Sequence, residues 1–214
     1  NSVPPVLMAS LRMLLVLIIL IPFWRFRLPE KKFYKPLIIF SISMGVLVYV
    51  FMNLSLYYSS IISPIILGSQ LAIPFGILAS AFILGENISK NKWLLIFTSF
   101  VGILIIFFDP KLSENYLGLF FASLMALFFG LAQVYSRQLK DIDTSVLNSS
   151  VALFGFVILF IISYFIEGET VLNIKNISLD SWFLISYQAI IVSLCAHLLM
   201  FYLYKFYTVG KIFP

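Results

Sequence analysis

Long apolar runs follow one another along the 214-residue chain, separated by short segments that carry most of the charges and turn residues. A helix that crosses the hydrocarbon core of a bilayer needs roughly 17–25 apolar residues, which is about the length of each run. A backbone in lipid must satisfy its own hydrogen bonds, and the alternating segments of a membrane β-barrel are absent from the sequence. The pattern therefore predicts an all-α, polytopic helical membrane bundle. The seven expected spans are about 6–24, 36–57, 61–83, 92–108, 116–136, 146–166 and 182–204.

The composition agrees with this pattern. Hydrophobic residues make up 62% of the chain, charged residues 11%, and the mean hydropathy is +1.07. A soluble domain usually carries about 25% charged residues, so lipid is the expected solvent for most side chains. One cysteine and one histidine leave no disulfide and no Cys/His metal cluster, and no glycine-rich phosphate loop is present. We therefore expect no metal, no cofactor and no ATP-driven motor.

Basic residues are concentrated in alternate gaps between the spans. The segments 25–35, 86–92 and 137–143, with the residues after the seventh span, hold eleven of the fourteen Lys and Arg residues. The positive-inside rule places these loops in the cytoplasm, and the net charge of +5 then reports membrane orientation rather than nucleic-acid binding. The abundance of Ile, Phe, Lys and Asn is typical of an AT-rich bacterial genome. The predicted location is the bacterial inner (plasma) membrane, with the lipid bilayer as partner.

A weak internal repeat relates the second and seventh spans. Sliding the chain by 150 positions places Ser43–Pro64 over Ser193–Pro214, and five of those 22 positions are identical, beginning with Ser43 over Ser193. The second span runs outward and the seventh runs inward, five spans later. A five-helix unit repeated once must insert its second copy upside down, and inverted repeats of this kind are typical of secondary transporters.

Five features of the chain form a recognisable set: the segment 53–60 before the third span, Pro74 within that span, the Gly85-Glu86 pair after it, the segment 93–106, and the Arg12 segment 9–12. Together they resemble one known family, the drug/metabolite transporter (DMT) superfamily, EamA type. It implies ten helices in two inverted five-helix halves that move small metabolites or drugs through a central cavity. In that register, residues 1–109 hold helices two to five and residues 110–214 hold helices six to eight and the start of nine. The first and the last two helices would then lie outside this chain.

Polar residues within the apolar spans are the candidates for a substrate cavity. Tyr49, Asn53 and Tyr57 recur every four residues and are expected on one helix face. Proline removes a backbone hydrogen bond, so a carbonyl one turn before Pro74 is expected to face the cavity. The same side chains also suit hydrogen bonds between helices, and a lone histidine among apolar neighbours also suits packing. The remaining candidates are Gln70, Gln133, Gln188, His197 and Phe201.

Arg12 is the full charge placed well inside a span. Burying an arginine in a bilayer costs about 2.5–3.5 kcal/mol on insertion scales, so its position needs a reason. Three readings stay open: the side chain snorkels to the outer interface, it pairs for structural reasons, or it contacts substrate. Glu86 lies at the cytoplasmic end of the third span beside Lys90 and Lys92, where holding the turn is the expected role.

The sequence favours a secondary transporter for a small molecule. The alternatives are a membrane-embedded lipid-modifying enzyme and a non-transporting membrane scaffold. Catalysis would need converging Asp, Glu, His or Cys residues, and no Asp or Glu falls in the middle of any span. The chain is therefore not expected to be an enzyme. Proton or ion coupling stays open, as does the choice between monomer and homodimer.

Overall fold

The structure is a computed structural model that describes residues 3–23, 29–108, 115–168 and 177–212. These residues form helices and connecting turns without a strand, which confirms the all-α class. A short helix, α8 (Val209–Ile212), follows seven longer ones. The longer helices are α1 (Pro5–Leu20), α2 (Lys31–Tyr57), α3 (Ser63–Ser69 and Ala72–Leu84), α4 (Lys90–Phe107), α5 (Tyr116–Gln138), α6 (Thr144–Glu167) and α7 (Leu179–Leu203).

Six helices of the described chain, α2 to α7, are long and apolar enough to cross a membrane. The remaining predicted span, the first in the chain, is α1, which is apolar but has only 16 residues. A 3₁₀ turn at Ile21–Phe23 continues it. With rises of 1.5 Å per α residue and 2.0 Å per 3₁₀ residue, the combined segment is about 30 Å long, close to the thickness of the hydrocarbon core. The multi-pass membrane architecture is therefore confirmed, with α1 as the shortest of its seven longer helices.

Local side chains set where three helices begin. The hydroxyl of Ser89 accepts a hydrogen bond from the backbone of Lys92 at the start of α4. The carboxylate of Asp143 opens α6 in the same way, and the hydroxyl of Ser178 opens α7. Each N-cap satisfies one of the backbone N–H groups that the first turn of a helix leaves unpaired.

The Gly85-Glu86 pair ends α3. Gly85 has φ +67°, in the left-handed region that a glycine enters without steric cost. The backbone N–H groups of Gly85 and Glu86 both donate to the carbonyl of Ser80. In the described part of the chain, the ion pair is the one between Lys32 and Glu30. The Glu86 carboxylate therefore has no lysine nitrogen within 4.0 Å among these residues. The backbone closes this turn, and the Glu86 carboxylate does not.

Pro74 interrupts α3. The two helical segments are separated by a turn at Gln70 and Leu71, because Pro74 has no N–H to donate to the Gln70 carbonyl. That carbonyl instead accepts from the N–H of Ile73, with an N···O distance of 3.2 Å. The expectation of a free carbonyl facing a cavity is therefore wrong, because the chain tightens by one residue and satisfies the group locally.

Helix α5 lies at the centre of the bundle, packed against α2 and α3. Small residues allow the close approach: a Cβ added to Gly130 would lie 2.7 Å from the backbone nitrogen of Gly76. At one end of the same interface, a Cβ added to Gly68 would lie 3.0 Å from the Cβ of Ala122. Small residues of α3, Gly68 and Gly76, thus face small residues of α5, Ala122 and Gly130. Tight helix packing in lipid requires such contacts.

Helix α1 packs along α6, and a carboxylate joins the first turn of α1 to the last turn of α6. Glu167 Oε1 accepts from the N–H of Val6 at 2.8 Å, and Oε2 accepts from the N–H of Leu7 at 2.9 Å. Ser163 also donates to Oε2. The first turn of α1 has no side-chain cap of its own, so Glu167 supplies both hydrogen-bond acceptors and a negative charge at its positive end.

Helices α2 and α7 each contain a π-helical segment. The first is Ser43–Leu47 and the second is Gln188–Ala196. Shifted by 150 positions, the two segments overlap at 43–46 and 193–196. A π segment is a rare insertion in an α-helix and is frequent at functional sites. The last two positions of the sequence repeat, 213–214, lie outside the described residues.

Candidate functional site

Arg12 lies on α1 and is buried, with 8% of its surface exposed. Its Nε donates a hydrogen bond to the Oγ of Ser193 on α7 at 2.5 Å. Arg12 is the eighth of the sixteen residues of α1, and Ser193 is the fifteenth of the 25 residues of α7. The hydrogen bond therefore holds the guanidinium near the middle of the spans. Arg12 does not snorkel to the outer interface, because a partner inside the bundle retains it.

Ser193 of α7 is hydrogen-bonded to two other helices, α1 and α6. Its hydroxyl accepts from Arg12 on α1. Its carbonyl accepts from the Nδ2 of Asn148 on α6 at 2.9 Å. Ser193 and Asn148 are each about 1% exposed, so these bonds lie away from bulk solvent. The π segment of α7 places the Ser193 carbonyl where a side chain from another helix can reach it.

Two aromatic contacts border this polar group. The Arg12 Cζ lies 5.2 Å from the ring centroid of Tyr49, within the range of a cation–π interaction. His197, one turn after Ser193, stacks on Phe201 with centroids 5.8 Å apart. Phe201 in turn meets Phe40 edge-to-face at 5.2 Å. Arg12 therefore links α1 to α2 through the Tyr49 ring and to α7 through Ser193.

The guanidinium of Arg12 is only partly used. In the described chain, neither Nη1 nor Nη2 of Arg12 donates to an acceptor. Some buried side-chain atoms of these residues are fully enclosed and lack a partner, but the Arg12 nitrogens are not among them. The two nitrogens therefore retain accessible surface while the rest of the residue is buried. We call Arg12, Tyr49, Asn148, Ser193 and His197 the arginine site.

The structure does not bring all the predicted cavity residues to the arginine site. Asn53 lies one turn beyond Tyr49 and its amide nitrogen is buried without a partner. Tyr57 is 80% exposed and contacts Tyr58, although its spacing puts it on the same side of α2 as the buried Tyr49. Tyr57 is the last residue of α2. Gln188 is half-buried at the start of the α7 π segment.

Gln70 lines a separate cleft between α2, α3 and α5. This cleft has a volume of about 400 Å³ and lies beside the break in α3. Phe129 of α5 and Val48 of α2 line it with Gln70, whose side chain is exposed. The break in α3 therefore presents a polar side chain, rather than a free carbonyl, to open space.

Gln133 is completely enclosed in α5. Neither its Oε1 nor its Nε2 has a hydrogen-bond partner among the described residues. A buried amide without partners costs about 1–3 kcal/mol, so a neighbouring polar group or water is expected to meet it in another state of the protein. Other enclosed and unpaired hydroxyls belong to Ser41, Ser136 and Ser149.

Ser193 and Asn148 were not predicted as site residues. The identity of Ser43 and Ser193 in the internal repeat was the available signal, because both serines are buried and both lie in π segments. Asn148 carried no comparable signal in the sequence. Among the described residues, no three His, Cys, Asp or Glu side chains are grouped as metal ligands would be.

The comparison with known families identifies the first half of the chain. The model of the EamA-like transporter family matches residues 1–108, from before α1 to the end of α4. No curated protein matches the chain. The matched region holds Arg12, Tyr49, Pro74 and the Gly85-Glu86 pair. With the multi-pass helical bundle, this match shows that the chain belongs to the EamA-like transporter family of membrane proteins.

Proposed function

We propose that the protein is a secondary transporter that moves a small metabolite or drug across the bacterial inner membrane by alternating access through a central cavity. The observation that carries the proposal is the arginine site, a buried polar group whose Arg12–Ser193 hydrogen bond lies near the middle of α1 and α7. Polar and charged groups at that depth are costly and are typical of substrate pathways. A scaffold needs no such group, and membership of a transporter family favours transport.

The division into two inverted halves, 1–109 and 110–214, is part of the proposal. Its support is the pair of π segments at positions that the repeat makes equivalent, in helices α2 and α7. The family match ends at residue 108, next to the proposed boundary. Interrupted helices at corresponding places in two inverted halves are a common way to build a substrate site that opens to either side.

The orientation proposed from the charges places 25–35, 86–92 and 137–143 in the cytoplasm; residues 25–28 lie outside the described chain. On that side Arg137 Nη1 donates to the carbonyls of Tyr204 and Lys205 at 2.6 and 2.9 Å. Lys92 donates to the carbonyl of Gly210 at 2.8 Å. Cations at the ends of α7 and α8 satisfy carbonyls that a helix end leaves free. These contacts suit a closed cytoplasmic side, with the arginine site above it.

Reconstituted protein tests the proposal. Purified protein in liposomes, supplied in turn with proton, Na⁺ and solute gradients, is assayed for uptake of radiolabelled carboxylates, amines, sugars and nucleosides. We expect saturable uptake of at least one class above that of empty liposomes. Failure of every solute under every gradient, together with turnover of a lipid headgroup by the same protein, would assign it to the enzymes instead.

A further inference from the structure

We propose that the transported solute carries an oxyanion, a carboxylate or a phosphate, which the free Nη edge of Arg12 binds; this inference rests on the proposed transport function. A guanidinium stays protonated in proteins, so Arg12 brings a full positive charge into a region of low dielectric. Such a charge is normally paired inside a membrane.

No carboxylate of the described chain pairs with Arg12. Among these residues, the ion pair joins Lys32 to Glu30, at the start of α2. Glu167, which contacts α1, already accepts hydrogen bonds from Val6, Leu7 and Ser163. Leu7 is five residues before Arg12, about 8 Å along the helix axis. The groups that do meet Arg12, the Ser193 hydroxyl and the Tyr49 ring, are neutral.

The geometry leaves one edge of the guanidinium available. Ser193 holds Nε, and the Tyr49 ring lies against the guanidinium carbon, so the plane of the group is fixed from two directions. Nη1 and Nη2 lack partners in the described chain and retain accessible surface. Two parallel N–H donors on one edge match the two oxygens of a carboxylate or phosphate. A preorganised fork binds an oxyanion at a smaller entropic cost than a mobile side chain does.

The purely structural role of Arg12 makes a different prediction. Linking α1 to α7 needs only the Nε–Ser193 hydrogen bond, and such a link has no preference among solutes. The site proposed here distinguishes an acid from the amide of the same shape. The ratio of their transport rates is therefore the property that separates oxyanion binding from a structural link.

The experiment compares acid and amide pairs in wild-type protein in phosphatidylcholine liposomes. Each carboxylate or phosphate solute is supplied together with its uncharged amide or ester, so that the two compete for uptake. The kcat/KM for uptake is measured for each member of the pair. We expect a preference for the acid of about tenfold or more, the scale of a charge-assisted hydrogen-bond pair. Saturable transport with equal or better values for the uncharged or cationic member overturns the inference and leaves the transporter proposal intact. Transport of no solute refutes both.

Variants then assign the preference to Arg12. In Arg12→Gln the acid-to-amide ratio is expected to fall to about one, while Arg12→Lys, which keeps the charge and loses the fork, retains an intermediate ratio. Lys35→Gln is the matched control: it removes one positive charge from an exposed position and should leave the ratio unchanged. An unchanged ratio in a folded Arg12→Gln protein contradicts the assignment.

If added phosphatidylglycerol abolishes the preference of the wild type, the oxyanion is a lipid headgroup and the inference also fails.

Discussion

The Nε of Arg12 donates to the Oγ of Ser193 at 2.5 Å, although the two residues are 181 positions apart in the chain. This contact joins α1 to the π segment of α7. Asn148 of α6 donates to the carbonyl of the same serine, and the Tyr49 ring of α2 lies against the Arg12 guanidinium. Four helices therefore meet at this buried pair. A rearrangement of any of them during transport must break or carry along this hydrogen-bonded group.

Ser193→Ala is expected to weaken both stability and transport. The substitution removes the acceptor of Arg12, and an unpaired buried donor costs about 1–3 kcal/mol. Thermal unfolding of the detergent-solubilised protein should show this loss, and KM should rise in liposomes. Ser99→Ala is the control, because Ser99 is exposed and its hydroxyl donates to the Leu95 carbonyl of its own helix. Equal unfolding temperatures for the two variants would contradict the role assigned to Ser193.

Gly130→Ala should destabilise the bundle. The new Cβ would lie 2.7 Å from the backbone nitrogen of Gly76 and 3.0 Å from the carbonyl oxygen of Ala72, and neither can move without displacing α3. Overpacking of this kind costs about 1–3 kcal/mol. Gly102→Ala is the matched control in α4, because no atom lies within 4 Å of its added Cβ. It should be neutral or stabilising by up to about 1 kcal/mol, since alanine favours a helix over glycine. Chemical denaturation in detergent that ranks the two variants equally would refute the close α3–α5 packing.

Asn115→Ala should loosen the turn between α2 and α3. The Asn115 Oδ1 accepts from the Ser60 N–H at 2.8 Å, from the Ile61 N–H at 3.4 Å and from the hydroxyls of Ser59 and Ser60. Without it, hydrogen exchange at the amides of residues 60 and 61 should be faster. The exposed Asn87→Ala is the control. Unchanged protection of those amides would show that Asn115 does not hold the turn.

Glu167→Gln should fray the start of α1. Both carboxylate oxygens accept from backbone N–H groups, so an amide must turn its NH₂ toward one of those donors. The change also removes a negative charge from a helix N-terminus, worth about 0.3–1 kcal/mol at an exposed site. Exchange at the amides of Val6 and Leu7 should accelerate, and Glu86→Gln should leave it unaltered. Slow exchange in both variants would contradict the capping role.

The positions of the helices were largely predictable from the sequence. Bilayer thickness sets the length of a span, and α5 and α6 begin and end within two residues of the predicted spans. Pro74 and Gly85 carried local signals because their backbones permit few alternatives. The π segments were not predictable: their hydrogen bonds span one residue more than those of an α-helix, and they leave the apolar pattern of α2 and α7 unchanged.

The composition of the site was predictable only in part. Arg12, Tyr49 and His197 were identified because charged or polar groups in an apolar span need a reason. Ser193 was missed because a serine in a helix usually bonds its own backbone, as Ser80 does through the Ile77 carbonyl. Tyr57 shows the opposite error: spacing predicts a shared face, while burial depends on which helices lie alongside.

The central claim is alternating access, and counterflow tests it most directly. Liposomes containing the protein are loaded with a high concentration of unlabelled substrate and diluted into a trace of labelled substrate without any ion gradient. A site that faces one side at a time exchanges the two, so the labelled solute should accumulate transiently above its external concentration and then decay. A monotonic rise to equilibrium, with no overshoot, would contradict alternating access and indicate a channel.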